Sequence, residues 1–109
     1  MPEVITMDII KNEAEFKTVL NENKSVFIDF YADWCGPCKM AAPLLEALAA
    51  DYPEIKFIKV NVDDNPDIAQ KYGVMSIPMM VAVKEGETVG TSLGFKPKEE
   101  IEKVVVLAK

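Results

Sequence analysis

The two cysteines of this chain lie at the junction between a strand-like run and a helical pattern. Cys35 and Cys38 are its only cysteines, and they stand beside the single tryptophan, Trp34. Residues 26–31, just before them, are almost uniformly apolar, which is typical of a central parallel strand covered on both faces. After them, from Cys35 or Pro37 to about Tyr52, apolar residues recur at helical spacing. The pattern predicts a fold in which a buried strand delivers a cysteine to the start of a helix.

The other segments alternate between strand and helix. Strands are predicted at residues 4–7, 26–31, 55–62, 79–83 and 87–93, and further helices at 12–23, at 65–72 and from 97 to the C-terminal end. Asn12 and Asn65 are the expected caps of two helices, and Gly73 is the expected end of the second one. The tight turn at Glu85 and Gly86 forces one antiparallel pair, whereas strands joined through helices run mostly parallel. The order β-α-β-α-β-α-β-β-α therefore predicts an α/β protein with a mixed sheet covered by helices on both faces.

Length and charge restrict the function further. The 109 residues fit one domain spanning 1–109, and no apolar run approaches the roughly 20 residues of a membrane span. The start of the chain has no secretory pattern, so we expect a cytoplasmic protein, although a precursor that had lost a leader would read the same way. The net charge of −6 comes without a basic stripe, which argues against nucleic-acid binding. Without histidine, catalysis must use Cys, carboxylate, Lys or Tyr side chains.

A cysteine pair at this spacing has three interpretations. A structural zinc site needs four ligands, and the chain has no further Cys or His to complete one. Two buried structural thiols are conceivable, but burial does not call for Gly36 and Pro37 between them at a helix start. Reversible dithiol–disulfide exchange suits the placement of Cys35 and Cys38 after a β-strand best.

Each residue around the pair has a physical role in that interpretation. Unpaired N–H groups and the helix dipole favour a thiolate at Cys35, and the thiolate is the nucleophile. Cys38, one turn further in, is expected to be more shielded and to attack the resulting mixed disulfide. Pro37 fits the first helical turn, and Gly36 leaves the approach open. Trp34 is either a core aromatic or the flat wall of a substrate groove, and its position favours the wall.

Asp29 and Lys59 are the candidates for proton transfer. Asp29 interrupts the apolar run, so burial should raise its pKa and make it the base that accepts the proton of Cys38. Lys59, in the next apolar strand, would moderate that charge. The alternatives are a structural ion pair between the two, or a lysine that simply faces solvent.

Residues 29–39 resemble the active-site stretch of the thioredoxin family, with the specific core Trp-Cys-Gly-Pro-Cys. The similarity extends over the whole chain, and its further landmarks are Lys59, Asn65-Pro66, Tyr72-Gly73, Ile77-Pro78 and Gly94. The resemblance implies a thioredoxin fold of five strands and four helices, with a cis peptide bond at Pro78 facing the cysteines. It also implies the roles of nucleophile for Cys35, resolving thiol for Cys38 and buried base for Asp29.

The resemblance further implies how partners bind. Ile77 would offer backbone hydrogen bonds to an extended substrate chain, while Val62, Leu93 and Gly94 would complete an apolar docking surface around Trp34. The family's electron source is a thioredoxin reductase, and its targets are disulfides of other proteins. No bound cofactor is implied, because the Cys35–Cys38 disulfide carries the electrons. We expect a monomer that acts as a reductant, since Gly-Pro between the cysteines is typical of reductants in the family.

Three positions depart from the family's common pattern. Tyr31 stands where a second tryptophan is frequent, Met79 where threonine often follows the proline, and Phe95 where a small residue follows the glycine. With Met75 nearby, these residues either vary the packing or change the preference for partners. Two other functions remain open: a subunit that binds partners without redox chemistry, and a reductant dedicated to one enzyme.

Overall fold

The computed structural model describes residues 7–109. The elements are β1 (Asp8–Ile9), α1 (Glu13–Glu22), β2 (Ser25–Tyr31), α2 (Gly36–Asp51), β3 (Lys56–Asn61), α3 (Pro66–Lys71), β4 (Met79–Lys84), β5 (Glu87–Leu93) and α4 (Lys98–Val105), followed by a 3₁₀ turn (Val106–Ala108). This is the predicted order. The strand expected at 4–7 falls mostly outside the described residues, and the strand observed near it is β1. No helix within 7–109 is long and apolar enough to span a membrane.

The sheet is mixed, as predicted, with the strand order β1-β3-β2-β4-β5. β1, β3 and β2 run parallel, whereas β4 is antiparallel to β2 and β5 is antiparallel to β4. β2 is the central strand, and its five middle residues are all buried. A strand covered on both faces needs an apolar run rather than an alternating one, which is why residues 26–31 occupy this place.

Helices cover both faces of the sheet. On one face, Phe27 packs in a cluster with Leu45 of α2 and Ile101 of α4. On the other, Phe30 packs with Phe16 of α1 and with the small helix α3. Each such fully buried side chain stabilises the fold by about 1.5–3 kcal/mol relative to an exposed one. The two clusters hold β2 rigidly, and with it the start of α2.

Two of the three expected helix signals are confirmed. The backbone N–H of Glu15 donates to Oδ1 of Asn12 at 2.8 Å, so Asn12 caps α1. Gly73, at φ +67°, follows α3 in the left-handed conformation that glycine adopts without strain. Asn65 lies at the expected N-cap position of α3, but its side chain makes no capping hydrogen bond. Asn65 is buried, and its Nδ2 donates to the carbonyls of Asn61 at 3.3 Å and Ile10 at 3.5 Å, because a buried amide needs partners away from water.

Candidate redox site

Cys35 lies at the N-terminus of α2, where β2 and a short turn place it. Its N–H donates to the carbonyl of Ala32 at 3.2 Å, and its Sγ accepts from the N–H of Cys38 at 3.2 Å. Cys35 is thus the N-cap of α2, and it forms a disulfide with Cys38 across a Cα–Cα distance of 5.3 Å. The predicted delivery of a cysteine from a buried strand to a helix start is confirmed.

The helix start favours negative charge on Cys35. The first turn of α2 contains Pro37 and no acidic residue, so no carboxylate in that turn opposes the helix dipole. In the disulfide form Cys35 is 4% exposed and Cys38 is 5% exposed. The expectation that Cys38 is more shielded than Cys35 is therefore wrong for this form, because the bond holds the two residues side by side and both are buried to the same degree. The two differ instead in their place on α2, at its cap and inside its first turn.

Asp29 is buried on β2 and 1% exposed. Neither carboxylate oxygen has a hydrogen-bond partner among residues 7–109. Burial raises the pKa of Asp29 from 3.8 to about 7, and the nearby charge of Lys59 moderates this increase. The direction is the one expected from a carboxylate inside an apolar run. At neutral pH this group can therefore both accept and release a proton.

Lys59 lies directly opposite Asp29 in the register between β3 and β2. Its ammonium lies 4.4 Å from the ring centroid of Tyr31. Among residues 7–109 the ion pairs within 4.0 Å do not include Lys59. The alternative of a direct ion pair between Lys59 and Asp29 is therefore wrong. Lys59 acts on Asp29 through space, and it does not simply face solvent.

A groove borders the cysteines on the side of Trp34. Trp34 is 71% exposed, so it is a wall and not a core aromatic. The groove has a volume of about 400 Å³, and its lining residues are Trp34, Val62, Val74, Met75, Ser76 and Ile77. Val62 and Ile77 also pack against the cluster that contains both cysteines. The groove therefore lies beside the cluster that contains the disulfide.

The loop before β4 forms the opposite side of the groove. The Ile77–Pro78 peptide bond is cis, as the family resemblance implies. The carbonyl of Pro78 accepts the N–H of Gly94 at 2.8 Å. Leu93 is 55% exposed, but neither Leu93 nor Gly94 lines the groove beside Trp34. Gly94 is joined to the site through Pro78, and Leu93 pairs with Met79 in the sheet.

Two of the departures from the family pattern differ in exposure. Met79 is half-buried and packs against the core cluster of Phe16 and Phe30. Phe95 is 42% exposed, and Met75, on the groove, is 97% exposed. Met79 thus varies the packing, whereas Met75 and Phe95 present apolar surface.

Sequence reasoning missed Asp63, Val74 and Ser76. The indole N–H of Trp34 donates to Oδ2 of Asp63 at 2.9 Å. Asn61 holds the turn that carries Asp63, because its Oδ1 accepts the N–H of Asp63 at 2.8 Å. Asp63 and Trp34 are 29 residues apart, and no local pattern links them.

Sulfur exchange is the chemistry that this arrangement supports. The disulfide lies at a helix start that stabilises a thiolate, β2 carries a buried carboxyl that can exchange a proton, and an open groove lies beside the cysteine cluster. A fold and site of this kind define the thiol–disulfide oxidoreductases.

Comparison with known proteins specifies the family. Residues 7–106 match the family model described as Thioredoxin. A curated thioredoxin of Bacillus subtilis is 46% identical over 100 residues, which cover 91% of this chain and 96% of that protein. The thioredoxin of Porphyra purpurea is 47% identical over 92 residues, covering 83% and 86%. The crystal structure of thioredoxin NaTrxh from Nicotiana alata superposes with a TM-score of 0.90 at 33% identity, covering 100% of this chain and 97% of that one.

The chain belongs to the thioredoxin family and is a thiol–disulfide oxidoreductase. Its fold is the thioredoxin fold, as the order of elements and the family resemblance predicted. Membership implies in general a reductase and disulfide-containing targets as partners. A redox-independent binding role is not favoured.

Proposed function

We propose that this protein is a protein-disulfide reductase that receives electrons from a thioredoxin reductase and passes them to disulfides of partner proteins. The single observation that carries the proposal is the position of Cys35, which caps α2 and packs in one cluster with Val62 and Ile77 of the groove. The reaction needs no bound cofactor, because the two cysteine sulfurs store the electron pair.

The first step is attack on the target. The Cys35 thiolate, stabilised by the start of α2, attacks one sulfur of the target disulfide. A bond forms between that sulfur and Cys35, the target S–S bond breaks, and the second target sulfur leaves as a thiolate that takes a proton from solvent. Gly36 has open space where a side chain would project, so the approach to Cys35 is clear.

The second step releases the target. Cys38 gives its proton to the Asp29 carboxylate, and the Cys38 thiolate then attacks the Cys35 sulfur of the mixed disulfide. The Cys35–Cys38 bond forms and the target leaves as a thiolate, so the target has gained two electrons. Asp29 suits this role because its pKa of about 7 lets it accept a proton and return it to solvent at neutral pH. Lys59 keeps that pKa from rising further.

The groove supplies the docking surface. Trp34 offers a flat exposed face, and Val62 and Ile77 continue the apolar surface to the disulfide. An extended target segment can hydrogen-bond to the backbone of Ile77 while its own disulfide lies over Cys35. Leu93 and Gly94, which are linked to Pro78, widen this surface on the side of β5.

The proposed reaction also suggests the location. A protein that reduces disulfides works where cysteines are kept reduced, and we therefore place it in the cytoplasm, acting as a monomer.

Reduction of a model disulfide protein tests the function. With dithiothreitol, and separately with a thioredoxin reductase, as electron donor, we expect a rate well above the uncatalysed one. Cys35→Ser should reduce that rate to the background, and activity that survived this change would refute the mechanism. Cys38→Ser should accumulate covalent mixed disulfides with targets, and their number distinguishes a general reductant from a dedicated one.

A further inference from the structure

Tyr31 occupies a position that the proposed mechanism does not use. Tyr31 and Asp29 are two residues apart on β2, and Lys59 and Asn61 are two apart on β3. In the register of these strands, Asp29 pairs with Lys59 and Tyr31 pairs with Asn61. Residues at alternate positions, and residues directly opposite each other, point to the same face of a sheet. All four side chains therefore lie together on the face that α2 covers.

Among these four residues, Tyr31 is the one whose side chain contacts the Lys59 ammonium. The ammonium lies 4.4 Å from the ring centroid, within the range of a cation–π interaction. Among residues 7–109, no carboxylate lies within ion-pair distance of Lys59. A lysine side chain loses considerable rotamer freedom when it is held in one place, so a specific attraction is needed to keep it there.

The surroundings give Lys59 an alternative position. A cleft of about 470 Å³ is lined by Tyr31, Cys38 and Lys59 among others, and it is open to solvent. Without the ring, the ammonium would gain hydration by moving out into this cleft and away from Asp29. Its favourable interaction with the Asp29 carboxylate would then weaken.

The other groups around this site are few. From the turn after β2, Asp33 lines the cleft, and from α2, Lys39 lines it beside Cys38. On the other side of Asp29, β4 presents Met80, which carries no charge. The Tyr31 hydroxyl lies near the side chain of Asn61 and the carboxylates of Asp33, Asp29 and Asp64. Of these charged groups, Lys59 alone lies directly opposite Asp29 in the sheet.

We propose that Tyr31 is a positioning residue for the proton-transfer step: its ring face holds the Lys59 ammonium beside Asp29 and thereby controls how readily Asp29 accepts the proton of Cys38. The inference rests on the proposed role of Asp29 as base. It assigns a task to a position where this chain departs from the family's common tryptophan, and another aromatic ring at that position would perform the same task.

The test measures the pKa of Asp29 directly, by the ¹³C chemical shift of its carboxyl in the oxidised protein. In that form the cysteines do not titrate, and the chain contains no histidine to interfere near neutral pH. We expect Tyr31→Leu to raise the Asp29 pKa by about 0.5 pH unit, because the attraction between the ammonium and the carboxylate weakens as the ammonium moves outward. Tyr31→Met serves in its place should the leucine variant fold poorly, and it should give the same shift.

The sign of the shift separates positioning from simple packing. A smaller side chain at position 31 opens the site to water, and hydration of Asp29 lowers its pKa. Loss of the positioned ammonium raises it. An unchanged or lowered pKa in Tyr31→Leu would therefore overturn the inference.

Matched variants identify the group responsible. Tyr31→Phe and Tyr31→Trp keep a ring face and should leave the Asp29 pKa unchanged, whereas a shift in Tyr31→Phe equal to that in Tyr31→Leu would assign the effect to the hydroxyl and refute the ring. Lys59→Met should raise the pKa at least as far as Tyr31→Leu. Adding Tyr31→Leu to Lys59→Met should not raise the pKa any further, and a further increase would show that Tyr31 acts independently of Lys59.

Kinetics distinguish this inference from the proposed function. The pH dependence of target release should move upward in Tyr31→Leu together with the Asp29 pKa, and it should disappear in Asp29→Asn. Should the dependence persist in Asp29→Asn, the base assignment fails, whatever Tyr31 does to the pKa. Should it disappear there but stay in place in Tyr31→Leu, only the present inference fails.

Discussion

Replacing Asp29 by asparagine should stabilise the protein increasingly as the pH rises. Asp29 is 1% exposed, and burial raises its pKa from 3.8 to about 7. Below pH 4 the carboxyl is protonated in both the folded and the unfolded chain, and its ionisation then has no effect on stability. Between pH 3.8 and about pH 7 the unfolded chain releases the proton and the folded chain retains it. The parent protein therefore loses stability as the pH rises through this interval, and its stability reaches a plateau above about pH 7.

The magnitude follows from the difference between the two pKa values. Each pH unit across that interval corresponds to about 1.4 kcal/mol, so the buried charge lowers the free energy of unfolding by about 4 kcal/mol at the plateau. About 2.5 kcal/mol of this change falls between pH 5 and pH 8. Asparagine has nearly the same shape and does not ionise, so the stability difference between Asp29→Asn and the parent should grow by that amount over the same range.

Urea unfolding of the oxidised proteins at pH 5, 6, 7 and 8 measures this difference. Glu46→Gln is the matched control, because it removes one negative charge from an exposed site on α2 and leaves the core unchanged. We expect its difference from the parent to stay constant over this range. A stability difference for Asp29→Asn that did not change between pH 5 and pH 8 would refute the raised pKa, and with it the physical basis for Asp29 as the base.

Three further predictions concern the groove and the fold. Asp63→Ala removes the acceptor of the Trp34 indole N–H, and we expect KM for a protein disulfide to rise about threefold, as the loss of one exposed hydrogen bond would produce. Gly90→Val should lower the free energy of unfolding by about 1–3 kcal/mol, because a Cβ at Gly90 would lie 2.6 Å from Cδ1 of Leu107. Asn12→Ala should lower it by about 1 kcal/mol through loss of the cap of α1. Steady-state kinetics check the first change, and urea unfolding checks the other two.

Controls are available for each of these changes. Asp63→Asn keeps an oxygen acceptor and should retain most of the affinity, and a small aromatic disulfide should show no change in KM with either variant. Gly90→Ala should be milder than Gly90→Val, because the flexible end of Leu107 is half-exposed and can move. Asn12→Asp keeps a capping oxygen and should be close to the parent. Equal effects of the conservative and the disruptive change at any of these positions would contradict the contact assigned there.

Local signals account for most of the fold. The apolar run at 26–31 predicted the central strand, and the periodicity after Cys35 predicted α2, because burial on two faces and burial on one helical stripe leave different patterns. Asn12 capped its helix as expected, since capping involves residues three apart. The Asn65 side chain made no such bond, because its amide donates to the carbonyls of Asn61 and Ile10, and no local rule identifies the contact with Ile10.

The candidate site likewise contains some features that local sequence predicted and others that depend on contacts between distant segments. Cys35 and Cys38 are three residues apart in the chain, and the strand and helix beside them predict both their position and their chemistry. Asp29 was recognisable because a carboxylate inside an apolar run must be desolvated. Other parts of the site join segments that are far apart in sequence. Trp34 contacts Asp63, and the groove beside Trp34 is also lined by Val74 and Met75. The assembly of the groove therefore had to come from the tertiary structure.

By itself, the sequence determined the order of elements, the helix start at Cys35 and the identity of the reacting sulfurs, because each depends on residues within a few positions of one another. Only the tertiary structure decided what surrounds those sulfurs. The register of β2 against β3 places Lys59 opposite Asp29 and on the ring of Tyr31. Strand register is set by packing over the whole sheet, and a slip of one residue would turn Lys59 to the other face.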